Sequence, residues 1–194
     1  MDGQHTHTEP LRFSDPRQQR IHDLLLLIGP GPAAFYRDAC RIMQASVSSP
    51  FETTTHLVGH LLREIESALR AVVSSAAEHT EPPSRRTRQG THRREIIAIL
   101  KGLGIEETEP VAQAWLRIAM PENEEALHRR AHRDALSAPR PADAPFHAFW
   151  NEMEGILFVV LTQFEARFLK GFALLDTLID HPSPGKAEVD RLRN

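Results

Sequence analysis

The feature that most constrains this chain is the stretch from 144 to 180, where Phe146, Trp150, Met153, Leu157, Val160, Leu161, Phe164, Phe168, Phe172, Leu175 and Ile179 recur at helical spacing. That period is a helix signal, and Asp143 stands where an N-cap belongs. A straight helix of this length would run about 55 Å, more than the diameter of a small domain. A bend or an overhanging end is therefore expected, with Gly155 and Gly171 the places for a bend or a close crossing.

A second amphipathic segment runs from 51 to 77. Leu57, Val58, Leu61, Leu62, Ile65, Ala68, Leu69, Val72 and Val73 take one side, and His56, His60, Arg63, Glu64, Ser67 and Arg70 take the other. Shorter helices are expected from about Pro16 to Ile28, from the Gly29-Pro30-Gly31-Pro32 turn to about Ala45, around Ile96 to Leu103, from a Thr108 cap through Ala119, and over 122–136. Leucine, alanine, arginine and glutamate outweigh valine, threonine and tyrosine, so strands have little to be built from. The fold class expected is all-α: a bundle of about six or seven helices with one very long C-terminal helix, the 51–77 and 144–180 helices forming its central pair.

Three parts are expected: a flexible arm over 1–17, one bundle domain over 18–182 with an exposed loop at 78–91, and a tail over 183–194. The tail restarts a helical pattern and stops without a cap or proline, which reads as the start of a missing region of a longer polypeptide. The lone Cys40 excludes an internal disulfide and suits a reducing compartment. The densest apolar run, 156–161, is far too short to span a bilayer, so the expectation is a cytoplasmic protein that enters no membrane. A net charge of -3 lacks the positive field of a dedicated nucleic-acid binder.

Four sets of residues carry candidate chemistry. His56 with His60, and His128 with His132, are i,i+4 pairs with metal-ligand spacing. The first pair lies opposite an apolar face and the second stands among arginines that repel cations, so no metal and no cofactor is expected. His132 and Arg133, beside Arg129 and Arg130, supply the residue types for acid–base chemistry on a phosphodiester, and equally those of a solvated charged face. Arg85, Arg86, Arg88, Arg93 and Arg94 form a basic set that can contact nucleic-acid phosphates, although no aromatic residue beside it would stack bases. Cys40 has Arg37 and Arg41 nearby but no adjacent histidine, which gives a nucleophile no support.

The polar face from His56 to Arg70, the segment HRRAHRDAL at 128–136 and the long final aromatic helix together resemble the HEPN superfamily, all-α domains of prokaryotic defence and toxin systems. The stretches IGPGPAAFYRDACRIM (28–43) and HLVGHLLREIESALR (56–70) also look like the N-terminal part of large actinobacterial proteins with no assigned reaction. The resemblance implies a metal-independent ribonuclease acting on RNA, often as a homodimer, with an arginine followed by four to six residues and then a histidine near the last long helix. Arg140 and His147 fit that spacing, with Pro141 departing from the usual polar residue; Arg86 and His92 also fit it, within the expected loop. Many HEPN-like domains are binding modules without catalysis. The function expected is accordingly a non-catalytic interaction or regulatory module, partnered by another protein or by the remainder of a longer chain, with the ribonuclease as alternative and a helical-bundle metal protein as a further one.

Overall fold

A computed structural model describes residues 13, 15–48, 51–77, 88–120, 123, 126–131 and 138–180. Among them are seven α-helices and no strand: α1 (Pro16–Ile28), α2 (Pro30–Ser48), α3 (Thr54–Ala77), α4 (Arg88–Gly102), α5 (Pro110–Ala119), α6 (Leu127–Ala131) and α7 (Ala144–Asp180). No helix of the described residues is long and apolar enough to cross a membrane.

The local signals place the helix ends well. Asp15 caps α1, its carboxylate accepting from the Arg17 amide at 2.7 Å, and Pro16 fills the first turn, where a missing N–H costs nothing. Asp143 does the same for α7, accepting from the Phe146 amide at 3.0 Å. α4 closes in a Schellman motif: the Ile105 amide donates to the Leu100 carbonyl at 2.9 Å, the Gly104 amide to the Lys101 carbonyl at 3.0 Å, and Gly104 takes φ +72°. That backbone conformation disfavours any residue with a Cβ.

Three boundaries differ from the sequence expectation. The N-cap of α5 is Glu109, without a side-chain cap bond, rather than Thr108; the Glu109 carboxylate instead accepts from the Glu106 amide at 2.8 Å. α4 begins at Arg88, so Gly90 and His92 lie on a helix and not in a loop, because Glu95 and Ile96 give the segment packing partners on α3. Phe13, before the first helix, packs its ring 5.2 Å from His22 and 6.3 Å from Tyr36.

The packing order differs as well. α3 lies against α2, α6 and α4, whereas α7 lies against α1 and α5; the two longest helices are not a central pair. α3 buries a wider arc than its leucines and valines mark, since Thr55, Gly59 and Glu66 are buried while Leu57 is exposed. The core joins Ile21, Leu24 and Leu25 of α1, Tyr36 and Ala39 of α2, Leu62 and Ile65 of α3, and Ile96, Trp115, Phe146, Trp150 and Leu161 of the later helices. α7 passes through Gly155 and Gly171 unbroken, and a Cβ at either would meet nothing within 4 Å, so neither is a close crossing.

Candidate functional site

The close crossing is at Gly59. A Cβ there would stand 3.1 Å from the Arg130 carbonyl carbon, 3.2 Å from its oxygen and 3.3 Å from the Ala131 nitrogen. α6 thus rests backbone-to-backbone on the N-terminal half of α3. One turn earlier, Thr55 Oγ1 donates to the Arg140 carbonyl at 3.0 Å and holds the strand of chain that leads into α7. These two contacts bring the α3 histidine turn, the α6 basic segment and the start of α7 to one end of the bundle.

At that end the Arg130 guanidinium carbon lies 4.3 Å from the Phe149 ring centroid and 6.0 Å from that of Phe146, a cation–π contact that anchors α6 on α7. Arg140 and His147 are both exposed, His147 in the first turn of α7 with its amide bonded to the Asp143 carbonyl at 3.0 Å. His60, His128 and Arg129 are exposed too. His56 is half-buried rather than wholly on a solvent face, because α6 covers this side of α3; its Nδ1 is buried without a hydrogen-bond partner among the described residues. His132 and Arg133 lie outside the described residues, as do Arg85 and Arg86. No three histidine, cysteine, aspartate or glutamate side chains among the described residues gather as metal ligands.

Of the remaining basic set, Arg88 opens α4, Arg93 pairs with Glu107 at 2.5 Å, and Arg94 is exposed. Arg88, Arg93 and Arg94 therefore belong to a helix, and Arg93 is already neutralised.

Two polar clusters inside the bundle were not legible as such. Glu154, 3% exposed, joins three helices: its Oε1 accepts from Gln18 Nε2 and from the Tyr36 hydroxyl, both at 2.8 Å, and its Oε2 from Arg17 Nη2 at 3.3 Å. Burial, with the neighbouring Cys40 and Glu154, drives the Tyr36 hydroxyl pKa upward, so Tyr36 stays a donor. Burial likewise pushes the Cys40 thiol up to about 12, which leaves no thiolate for nucleophilic chemistry.

The second cluster ties α3, α4 and α5. Glu66 Oε1 accepts from Arg70 Nε at 2.7 Å and from the Trp115 indole at 3.3 Å; Arg70 Nη1 reaches Glu95 at 2.8 Å, and Ser74 donates to the other Glu95 oxygen at 3.3 Å. Arg70, which the helical period assigns to the polar face, is thus largely enclosed, and the two carboxylates raise its pKa against the opposing effect of burial. The signal available in the sequence was the Glu66–Arg70 i,i+4 pair bordering the apolar arc.

His92 stands beside this cluster with its pKa lowered, first by burial and then by the Arg70 charge, against partial compensation from Glu66 and Glu95. A histidine with a depressed folded pKa binds fewer protons in the native than in the unfolded chain. Its contribution to stability is therefore complete above the unfolded pKa of about 6.5 and is lost as pH falls below it toward the lowered folded value. Urea midpoints measured from pH 7.5 to 5 are expected to decline below pH 6.5, and less steeply in His92→Asn; parallel profiles would show that His92 is not the titrating group.

Between α4 and the turn into α5 lies a cleft of about 220 Å³, lined by Ile97, Leu100, Lys101, Gly104, Ile105 and Glu107. It falls below the roughly 300–1,000 Å³ of small-molecule sites. No family model matches the chain, and comparison with curated proteins and solved structures gives no match either.

Proposed function

We propose that the chain is a cytoplasmic, HEPN-like helical interaction or regulatory module, acting with a protein partner or with the remainder of a longer defence or signalling protein. The observation that carries this reading is where the ionisable groups are committed. Arg70 is held between Glu66 and Glu95 across α3 and α4, and Glu154 is saturated by Gln18, Tyr36 and Arg17. A catalytic site needs acid, base and anion-holding groups converging on one concave point. The buried groups here instead act as ties between helices.

A metal-independent ribonuclease, with RNA as substrate and a homodimer as its implied state, is the second reading. It is favoured by the contacts of Gly59 and Thr55, which carry the α6 segment and the Arg140–His147 segment to the same end of α3. Incubating the chain with mixed RNA in EDTA separates the two. The module reading expects no cleavage at high protein concentration. Cleavage that persists in EDTA and disappears in His147→Ala or His132→Ala would replace it with the ribonuclease and identify the proton-transfer group.

A further inference from the structure

The cleft at the end of α4 is bordered by a braced turn. The Ile105 amide donates to the Leu100 carbonyl at 2.9 Å, the Glu106 amide to the Glu109 carboxylate at 2.8 Å, and Gln113 Nε2 to the Glu107 carbonyl at 2.6 Å. Arg93 of α4 pairs with Glu107 of the turn. A connection fixed in this way keeps its surface when a ligand arrives, so binding there loses little to ordering.

The floor of the cleft is apolar and its rim is charged. Leu100 and Ile105 are buried, and Ile97 beside them is half-buried. Lys101 and Glu106 are exposed and both line the cleft, and among the described residues neither forms an ion pair with the other or with any further group. Opposite charges on one rim that do not reach each other match a ligand that carries both. Volume sets the size of that ligand: the cleft stops short of drug-sized molecules, and about 220 Å³ is the room of about seven waters at roughly 30 Å³ each, or of one molecule with about nine non-hydrogen atoms.

We propose that the cleft binds a free aliphatic α-amino acid such as leucine, its side chain on Ile97, Leu100 and Ile105, its carboxylate at Lys101 and its ammonium at Glu106. The aliphatic side chain covers the floor and takes apolar surface out of water. The ammonium stands at the C-terminal end of α4, where the helix dipole is negative and favours a cation. Arg167 brings a second cation to the border, since its Nη2 would lie 3.1 Å from a Cβ at Gly104, which lines the cleft. A dicarboxylate would set one charge against Glu106, and a simple amine would leave Lys101 unmatched. The site goes beyond the interaction-module reading and is independent of the HEPN-like resemblance.

Calorimetric titration of the full chain with L-leucine is expected to give a Kd of about 100 μM. Leucine at about 10 mM is then expected to raise Tm by about 5–10 °C. Leucinamide keeps only the ammonium and N-acetyl-leucine only the carboxylate, as the first and last residues of a peptide do; each is expected to bind about tenfold more weakly. Lys101→Met and Glu106→Gln, both at exposed positions, are expected to weaken leucine binding about fivefold each, with unchanged helical circular dichroism. Absence of a Tm shift with leucine, glycine or either blocked analogue binding as tightly as leucine, or a leucine Kd unchanged in both variants would each overturn the proposal.

Discussion

Replacing Glu154 by alanine is expected to destabilise the fold by about 4 kcal/mol, the largest effect of any single polar substitution among the described residues. The carboxylate is 3% exposed and accepts two 2.8 Å bonds, from a tyrosine hydroxyl and a glutamine amide that are themselves buried. Its loss removes a 2.8 Å acceptor from both donors in a site that water does not readily reach, at about 1–3 kcal/mol each, and opens a small cavity. Arg17 adds little, since its side chain is 37% exposed and can return to water. Tyr36→Phe is expected to cost only about 1–2 kcal/mol, because Glu154 keeps Gln18 and Arg17 as partners. Urea unfolding monitored by circular dichroism measures both; a loss under 1 kcal/mol for Glu154→Ala would mean that water or repacking replaces the tie.

Gly59→Val is expected to cost about 2–4 kcal/mol and to release α6 from α3. The added Cβ would meet backbone atoms of Arg130 and Ala131 at 3.1–3.3 Å, and backbone cannot rotate away as a side chain tip can. Gly59→Ala is a milder case: the helix gains about 1 kcal/mol from replacing glycine, which offsets part of the strain. Releasing α6 also breaks the stacking of Arg130 on Phe149. Limited proteolysis within 127–131 is therefore expected to accelerate in Gly59→Val while hydrogen exchange in the α1–α2 core stays slow. A valine variant as stable and as protease-resistant as the parent would show that the two helices can part without loss.

Both residues show how far the sequence could be read. Glu154 stands two residues before the densest apolar run, and Gly59 interrupts the clearest amphipathic helix, so each is visible as an exception to its pattern. What resolves the exception is distant in the chain: Gln18 and Tyr36 in one case, Arg130 in the other. The same holds for the end of the bundle that gathers His56, Arg130 and His147. Their residue types suggest chemistry, but the Thr55–Arg140 and Gly59–Arg130 contacts that bring their segments together span about 70 to 85 residues and leave no periodic trace.

Sequence alone determined the all-helical class, the order of the helices and most of their ends, because helix formation follows a 3.6-residue period and caps such as Asp15, Asp143 and Gly104 act within a few residues. Tertiary structure alone decided which helices touch. It set α7 on α1 and α5 instead of α3, enclosed Arg70 and Glu154, and put His92 on a helix beside Arg70. An apolar stripe specifies that a helix must be covered, but many helices offer equivalent stripes. The choice among them is made by shape and buried polar matching between residues far apart in the chain, which no local period records.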